Sequence, residues 1–325
     1  MNIHPTLRAL REDDAPLRDA QEAMARSIAR WRERSEVAGV LAQLETFAAG
    51  APMDECPALA ALFQESDCAA RELAFGFVAE TVAALDKMPL GHVALRHFTD
   101  GVLSTLLLAR LGNVTLTLVA VDGERQREKP APVTVDFGPS EIWGRVLSGT
   151  ARAELVERTS CDEKQAALDR RILPLRPGAV VFRDAERHAL LLREVEGCLV
   201  SLRLQRRRPM AGATREYRLD DGRHVHQAAG NPRDSRLELM MALLGRMERT
   251  DAVPLLAELA REDGSAALRW QAVRECLALD TLTGFRTLCA IAASPRDALA
   301  PAAGTLRSRL VETYPQLAEI DPSPT

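Results

Sequence analysis

The fold of this chain is decided by residues 133–204. They read VTVDFGPSEIWGRVLSGTARAELVER over 133–158 and, after a polar segment, LPLRPGAVVFRDAERHALLLREVEGCLVSLRL over 173–204. The apolar runs are short, rich in β-branched residues and separated by Gly and Pro, which is the pattern of strands joined by turns. The stretch therefore predicts a β-rich core.

The strand pattern extends over residues 90–228. The candidate strands are LSTLLLARL, NVTLTLVAV, VTVDF, IWGRVLSG, ARAELVER, AVVFR, HALLLREV and CLVSLRLQ, with Gly149 and Glu196-Gly197 among the predicted turns. Many short strands with regular turns favour a sandwich or a barrel over a βαβ sheet. The segment CDEKQAALDRR, residues 161–171, is the exception and is predicted to be a loop or a short helix.

Both flanks of this block are predicted to be helical. Residues 1–88 are rich in Ala, Leu, Glu and Arg and predict helices at 14–34, 35–49, 57–64 and 67–87. Residues 233–325 predict five helices, and two helix pairs repeat with a period of about 31 residues, which resembles HEAT-type repeats. A short helical bundle is the alternative. The predicted domains are a helical segment over 1–88, a β domain over 89–228 and a helical domain over 229–325.

Two motifs in the middle block resemble the cupin superfamily, whose fold is a jelly roll. The first is Glu141–Gly149, EIWGRVLSG, and the second is Pro177–Phe182, PGAVVF, followed by His188. The resemblance places the variable loop between the motifs at 155–172. It implies an α+β protein in which a cupin-like β-barrel, a jelly roll, is flanked by the two helical segments.

The metal ligands of the cupin motifs are largely replaced in this chain. Metal-binding cupins use an HxH and a Glu from the first motif and a His from the second. The HxH positions fall here on Thr134 and Asp136. The resemblance therefore leaves His188 and Glu141, with Asp136 as a further carboxylate, as candidate ligands.

A separate HxH occurs at His224 and His226, after the Asp221-Gly222 turn. Alternate residues of a strand point to one face, so both imidazoles could meet one metal ion, together with His188. The alternative interpretation is an exposed polar hairpin. His4, His92 and His97 are expected to be structural or exposed.

The composition limits the function classes. The net charge of −4 gives no general attraction to nucleic acid or to an anionic membrane. No apolar run reaches the ~18–20 residues that span a bilayer, and the polar N-terminus does not look like a secretory signal. Six scattered cysteines without CxxC spacing predict reduced thiols and a cytoplasmic location. No GxSxG, P-loop or GxGxxG is present.

The strongest charge cluster is RLQRRR at Arg203–Arg208, with Arg215, Arg218 and Arg223 nearby. It could meet an acidic partner, a phosphate or an RNA backbone. The alternative is a solvated strand end, or one that pairs with acidic groups of this chain.

These observations predict a non-catalytic cupin-like protein that senses a small molecule in the barrel or binds a protein partner through the C-terminal helices. No cofactor is expected. The alternative is a metal-dependent enzyme of the non-heme iron dioxygenase type with one divalent metal ion (Fe, Zn or Mn), so an enzymatic activity stays open. A third possibility is a scaffold whose barrel serves only as a homodimerisation module.

Overall fold

The computed structural model describes residues 13–65, 68–93, 95–161, 164–208, 212–230 and 232–320. They form a mixed α and β structure with antiparallel sheets, as the sequence predicts. The contacts divide the chain into two compact units: Met1–Pro209 with Glu216–Val225, and Met210–Arg215 with His226–Thr325. The boundary predicted near residue 88 falls inside the first unit, and the one predicted near residue 228 lies close to the start of the second.

The predicted N-terminal helices are confirmed. They are α1 (Ala15–Glu33), α2 (Ser35–Ala48), α3 (Pro57–Ala61) and α4 (Ala69–Lys87), with a 3-10 turn at Met53–Glu55. Pro16 lies in the first turn of α1, where its missing N–H has no intrahelical acceptor to lose. His4 lies outside the described residues.

The strands follow in two antiparallel sheets. They are β1 (His97–Thr99), β2 (Leu103–Leu111), β3 (Val114–Asp122), β4 (Thr134–Phe137), β5 (Ser140–Cys161), β6 (Ala166–Leu175), β7 (Val180–Asp184), β8 (His188–Arg207), β9 (Thr214–Arg218) and β10 (His224–Ala228), and a short helix α5 (Gly123–Glu128) separates β3 from β4. The larger sheet has the order β1-β2-β3-β8-β5-β6, with β7 also paired to β5. The smaller has the order β10-β9-β4.

The helices α1–α4 and one face of the larger sheet share a single core. Trp31 and Phe47 from the helices and Leu116 and Leu202 from the sheet are buried in the same cluster. The Trp31 indole N–H donates to the carbonyl oxygen of Leu73 at 3.1 Å, which satisfies its one polar atom in the core. The N-terminal helices therefore cover one face of the sheet.

Arg145 of β5 joins the sheet to the end of α3. Its side chain is buried, and it donates to the carbonyl oxygens of Leu62 and Glu65, each at 3.4 Å, and to that of Gln64. Carbonyl groups just after a helix have no intrahelical donor and carry the negative end of the helix dipole. The guanidinium of Arg145 satisfies several of them at once.

β5 and β8 are two long paired strands where the sequence predicts four short ones. Their ladder runs from Ser140↔Arg207 to Glu157↔His188, with register shifts between Val146 and Thr150. Gly149 has a φ of +83°, and a Cβ there would lie 2.2 Å from the carbonyl oxygen of Cys198. The predicted turns at Gly149 and Gly197 are therefore wrong, because a left-handed glycine can form a bulge within a strand as well as a turn between strands.

The segment predicted as a loop or helix is a hairpin. β5 continues to Cys161, β6 begins at Ala166, and the two pair from Ala151↔Leu175 to Cys161↔Ala166. β6 lies at the edge of the sheet and carries several charged residues. Edge strands often carry charged residues, because charge prevents the unpaired edge from pairing with another chain. Such a strand therefore resembles a loop in sequence.

The larger sheet bends but does not close. Around the bulge the ribbon folds so that Val146 and Leu199 pack in one cluster with Ala153 and Val195 from its other half. In the described part of the chain no ladder joins β1 to β6, the two ends of the sheet. The predicted closed barrel is therefore corrected to an open, bent sheet, whose terminal edges are a three-residue strand and a charged one.

The second unit contains the five predicted helices, namely α6 (Pro232–Arg246), α7 (Val253–Leu259), α8 (Ala266–Leu279), α9 (Thr281–Ala292) and α10 (Ala300–Thr313), with 3-10 turns at Thr250–Ala252 and Pro315–Ile320. Its core includes Leu256, Val273 and Phe285. The Arg269 side chain donates through Nε to the carbonyl oxygen of Ala260 at 2.9 Å and so caps α7. The classification of these five helices as HEAT-type repeats stays a prediction.

None of the helices within the described residues is both long enough and apolar enough to cross a membrane.

Candidate functional site

The four central strands of the larger sheet have two different faces. Leu116 of β3, Leu202 of β8 and Trp143 of β5 lie in or against the core shared with the helices. Side chains alternate along a strand, so the residues between them project from the opposite face. We call that opposite face the inner face.

The register places two rows of residues side by side on the inner face. Across β3, β8, β5 and β7 the first row is Thr117, Arg203, Gly144 and Val181, and the second is Thr115, Gln205, Ile142 and Arg183. Towards the bend the same face becomes apolar, with Val119, Val146 and Leu199. The inner face is therefore apolar at one end and polar at the other, and the polar end is the candidate site.

Arg203 and Arg183 are the two cations of this polar end. Two strand spacings separate β8 from β7, which puts their Cα atoms on the order of 10 Å apart, within reach of two arginine side chains. Gly144 stands between them without a side chain, and a Cβ there would meet nothing closer than the carbonyl oxygen of Val181 at 3.9 Å. Gly144 itself therefore leaves the space above it empty.

Both guanidinium groups have lost much of their hydration. Burial lowers the pKa of Arg183 from 12.5 to about 10, and the nearby Arg203 cation lowers it further in the same direction. Burial also lowers the pKa of Arg203. Each side chain keeps some accessible surface, so both groups can be reached from solvent. With a pKa of about 10, Arg183 remains protonated at neutral pH.

The charge on this pair is uncompensated within the described residues. No hydrogen bond or ion pair in that part of the chain reaches the guanidinium of Arg183 or Arg203. By contrast Arg206, on the same strand as Arg203, pairs with Glu141, and Arg208 pairs with Asp184 at 3.0 Å. The predicted basic run is therefore divided: Arg206 and Arg208 pair with acidic groups of this chain, as one alternative expects, and Arg203 does not.

Glu141, a candidate ligand, lies on the helix-covered face. Its Oε2 accepts from Arg206 Nε at 2.8 Å and is 2.7 Å from Arg206 Nη2. The same guanidinium lies 4.0 Å from the ring centroid of Phe47 and donates to the carbonyl oxygen of Ala51 at 2.7 Å. Glu141 therefore holds an arginine that fastens α2 to the sheet.

Asp136 and His188, the other candidate ligands from the cupin motifs, lie on β4 and β8. Asp136 is exposed on β4, between the buried Val135 and Phe137. His188 pairs in register with Glu157, at the opposite end of the β5–β8 ladder from Glu141, and its Nε2 is 3.8 Å from Glu157 Oε1. Its Nδ1 is buried without a hydrogen bond. His188 and Glu157 thus form a pair of potential donors at the far end of the ladder.

His224 and His226 are both on β10. The His224 ring lies 5.4 Å from the Tyr217 ring, centroid to centroid, and its Nε2 and the Tyr217 hydroxyl are buried without hydrogen bonds. His226 is exposed. Among the residues that the structure describes, neither histidine forms a metal-binding group of three with His188, Glu141 or Asp136.

The donor set does not fit the metal ion of the cupin family. Among the described residues no group of three or more His, Cys, Asp and Glu side chains is arranged to hold a metal. Such an ion needs at least three protein ligands with one open position. We therefore assign no chemistry to a metal here.

We expect Glu141→Gln to lower the free energy of unfolding by about 1–3 kcal/mol, because it leaves the partly buried Arg206 without its counter-charge. Urea denaturation of the metal-free protein measures this. The control is Glu194→Gln, which removes the exposed Arg152–Glu194 pair on the same ribbon and should change stability by less than about 0.5 kcal/mol. Equal effects of the two variants would contradict this role, and loss of bound metal without loss of stability would support a ligand role.

A groove lies on the surface of the second unit. It has a volume of about 580 Å³ and is lined by Trp270, Arg274, Leu277, Ala278, Leu306 and Leu310. Its lining is apolar apart from Arg274, which is exposed and keeps its hydration. The inner face combines several polar groups with two desolvated cations, so it is the better candidate for specific small-molecule binding.

Comparison with known proteins finds similar solved structures but no matching family. No family model and no curated protein matches the chain. Among solved structures, a sugar phosphate isomerase of the cupin superfamily from Silicibacter pomeroyi is 14% identical, with a TM-score of 0.24 over 36% of this chain and 66% of that one. The match thus spans just under two thirds of that protein.

Two further matches are similar in extent. A cupin superfamily protein from Desulfitobacterium hafniense is 13% identical, with a TM-score of 0.24 over 34% of this chain and 83% of that one. HutD from Pseudomonas fluorescens is 14% identical, with a TM-score of 0.25 over 36% and 58%. Scores this low carry no argument, so the fold rests on this chain's own strand order and register.

Arg183 and Arg203 are not among the site residues predicted from the sequence. In the sequence Arg203 belongs to the basic run, and no motif includes Arg183 as a ligand. A signal was present, since strand alternation puts Arg203 on the opposite face from the apolar Leu202 and Leu204. Two charged residues on the same face of one sheet, with only β5 between their strands, are unusual in a sheet that only packs.

Proposed function

We propose that this is a non-catalytic, cupin-like protein that binds a small molecule on the inner face of its bent sheet. The observation that supports the proposal is the change of that face from apolar to polar along the same strands. A face that served only for packing would be apolar throughout, because buried polar groups without partners are costly. Thr117 Oγ1 donates to the carbonyl oxygen of Arg203 at 3.3 Å, and the Gln205 amide donates to Ser140 Oγ at 3.2 Å. A ligand on this face would therefore supply the partner of the Arg203 guanidinium.

The chemical groups on this face suit binding better than catalysis. Hydroxyl, amide and guanidinium groups orient a ligand by hydrogen bonds. A guanidinium stays protonated, so it is a poor general acid or base at neutral pH. A protein that binds a small molecule without converting it acts as a sensor or a carrier. A protein partner of the second unit, a homodimer and a cytoplasmic location stay predictions.

The proposal is tested by thermal-shift screening of a metabolite library on the full chain, with mass spectrometry of each stabilising compound after incubation. We expect at least one compound that raises the unfolding temperature and is recovered unchanged. The blocking variant is Gly144→Leu, whose side chain would occupy the inner face where the surroundings leave room. It should abolish the stabilisation, whereas Gly264→Leu, at an open glycine of the second unit, should leave it intact.

Other outcomes would count against the proposal. Stabilisation that survives Gly144→Leu would place the ligand elsewhere, and no stabilising compound at all would leave the inner face without a function. The alternative, a metal-dependent enzyme of the dioxygenase type, requires about one bound metal ion per chain. Metal analysis of the protein, with His188→Ala as the control, would support that alternative if the variant lost a stoichiometric ion.

A further inference from the structure

The inner face carries two positive charges that no negative group among the described residues balances. Two guanidinium groups, Arg183 and Arg203, lie close enough for each to disfavour the other's charge, and both are desolvated. Buried charges in proteins are normally paired, because an unpaired one loses hydration without compensation. Within the described residues no carboxylate supplies that compensation.

The geometry of the two rows determines where a compensating group would sit. Arg203 is in register with Gly144, and Arg183 is in register with Ile142, one row further along. The space above Gly144 lies between them. A group held there can be reached by both guanidinium groups, one from each side.

The chemistry of the guanidinium selects the kind of group. Its planar set of N–H donors matches the paired oxygens of a carboxylate or a phosphate, and such charge-assisted hydrogen bonds are stronger than neutral ones. Two cations are balanced by two negative charges. The Gln205 amide, which donates to Ser140 Oγ at 3.2 Å, lies in the same row as Arg183 and keeps its carbonyl oxygen for a hydroxyl of the ligand.

We propose that the inner face binds a doubly charged oxyanion, a phosphate monoester or a dicarboxylate, between Arg183 and Arg203. This inference rests on the proposed function, since it names the chemical class of the ligand at that site. Neutral molecules leave both cations uncompensated, and cationic molecules are repelled. Monoanions compensate only one of the two.

The test is calorimetric titration of the full chain with inorganic phosphate and, separately, with succinate, each against sodium chloride of the same ionic strength. We expect saturable binding of one or both probes and none of chloride. The phosphate arm reports a phosphoryl ligand and the succinate arm a dicarboxylate. Arg203→Gln and Arg183→Gln should each weaken binding roughly ten- to a hundredfold, because each removes a charge-assisted contact.

The control is Arg171→Gln, which removes an exposed arginine of β6 from the same unit and should leave the affinity unchanged. An equal loss in Arg171→Gln, or the same heat with chloride, would overturn the inference. If neither probe binds while a neutral compound stabilises the protein in a manner sensitive to Gly144→Leu, the ligand class is wrong and the proposed function stands. If no compound of either kind binds, both fail.

Discussion

Arg183→Met is expected to raise the free energy of unfolding of the first unit by about 1–3 kcal/mol, against the usual direction of a substitution in a folded core. Folding lowers the pKa of Arg183 from 12.5 to about 10, so the cation is less stable in the folded chain than in the unfolded one. Each pKa unit corresponds to about 1.4 kcal/mol. Methionine keeps an apolar stem and removes the charge, so the cost disappears while most of the packing remains.

The pH dependence of stability tests independently whether the Arg183 charge destabilises the folded protein. Below about pH 10 the arginine is protonated in both states and the cost is fully present. As the pH rises through the folded-state pKa, the folded protein loses its proton while the unfolded chain keeps it, so the stability of the parent protein rises towards that of the variant. The difference in urea midpoint between Arg183→Met and the parent should therefore stay constant up to about pH 9 and shrink as the pH rises above about 10.

The matched control is Arg171→Met, an exposed arginine on β6 whose removal should change stability by less than about 0.5 kcal/mol. A loss of stability in Arg183→Met would mean that the guanidinium has a compensating contact within the chain. Phosphate or succinate, if bound as proposed, should stabilise the parent protein more than the variant at the same ligand concentration, because the variant binds the ligand more weakly. The variant would thus be more stable alone and less sensitive to the ligand.

Asp297→Asn is expected to destabilise the second unit by about 3–5 kcal/mol, since it leaves a buried guanidinium without its counter-charge. Arg269 of α8 is buried and donates through Nη1 to Asp297 Oδ1 at 3.0 Å, through Nη2 to Oδ2, and through Nε to Ala260. Asp297 Oδ1 also accepts from the backbone N–H of Leu299 at 2.9 Å, just before α10. The pair therefore ties α7, α8 and the start of α10 together.

Hydrogen exchange of the amides in α7–α10 measures the effect within the second unit. The control is Asp251→Asn, which breaks the exposed Arg249–Asp251 pair and should change protection by less than about 0.5 kcal/mol. The Arg269 guanidinium lowers the pKa of Asp297, so its stabilisation is present above about pH 4 and is lost as the pH falls below that value. Equal protection in both variants would contradict the role assigned to this pair.

The sequence predicted the type of most elements because their local signals agree with their packing. Pro16 and the Ala- and Leu-rich runs mark the N-terminal helices, and the short apolar runs between turn residues mark β2, β3 and β7. The connection of strands was harder to predict. Gly149 has the positive φ of a turn glycine, but the residue that needs it there is Cys198, which comes close only after the long ribbon has formed.

The candidate site was less predictable than the fold. The cupin resemblance directed attention to Glu141, His188 and Asp136, whose positions in sequence match metal ligands. In space Glu141 faces the helices and is held by Arg206, whereas His188 lies at the far end of the ladder. Which face a residue occupies depends on the register between strands that are distant in sequence, and residue spacing within one motif does not contain that information.

The central claim is that an oxyanion from solution, and not a group of this chain, balances the two guanidinium groups of the inner face. A crystal structure of the full chain grown in selenate, with selenium located by its anomalous scattering, tests this directly. The account predicts a selenate ion above Gly144, within hydrogen-bond distance of both Arg183 and Arg203. A carboxylate of the chain itself in that position, or a clear map there without selenium, would contradict it.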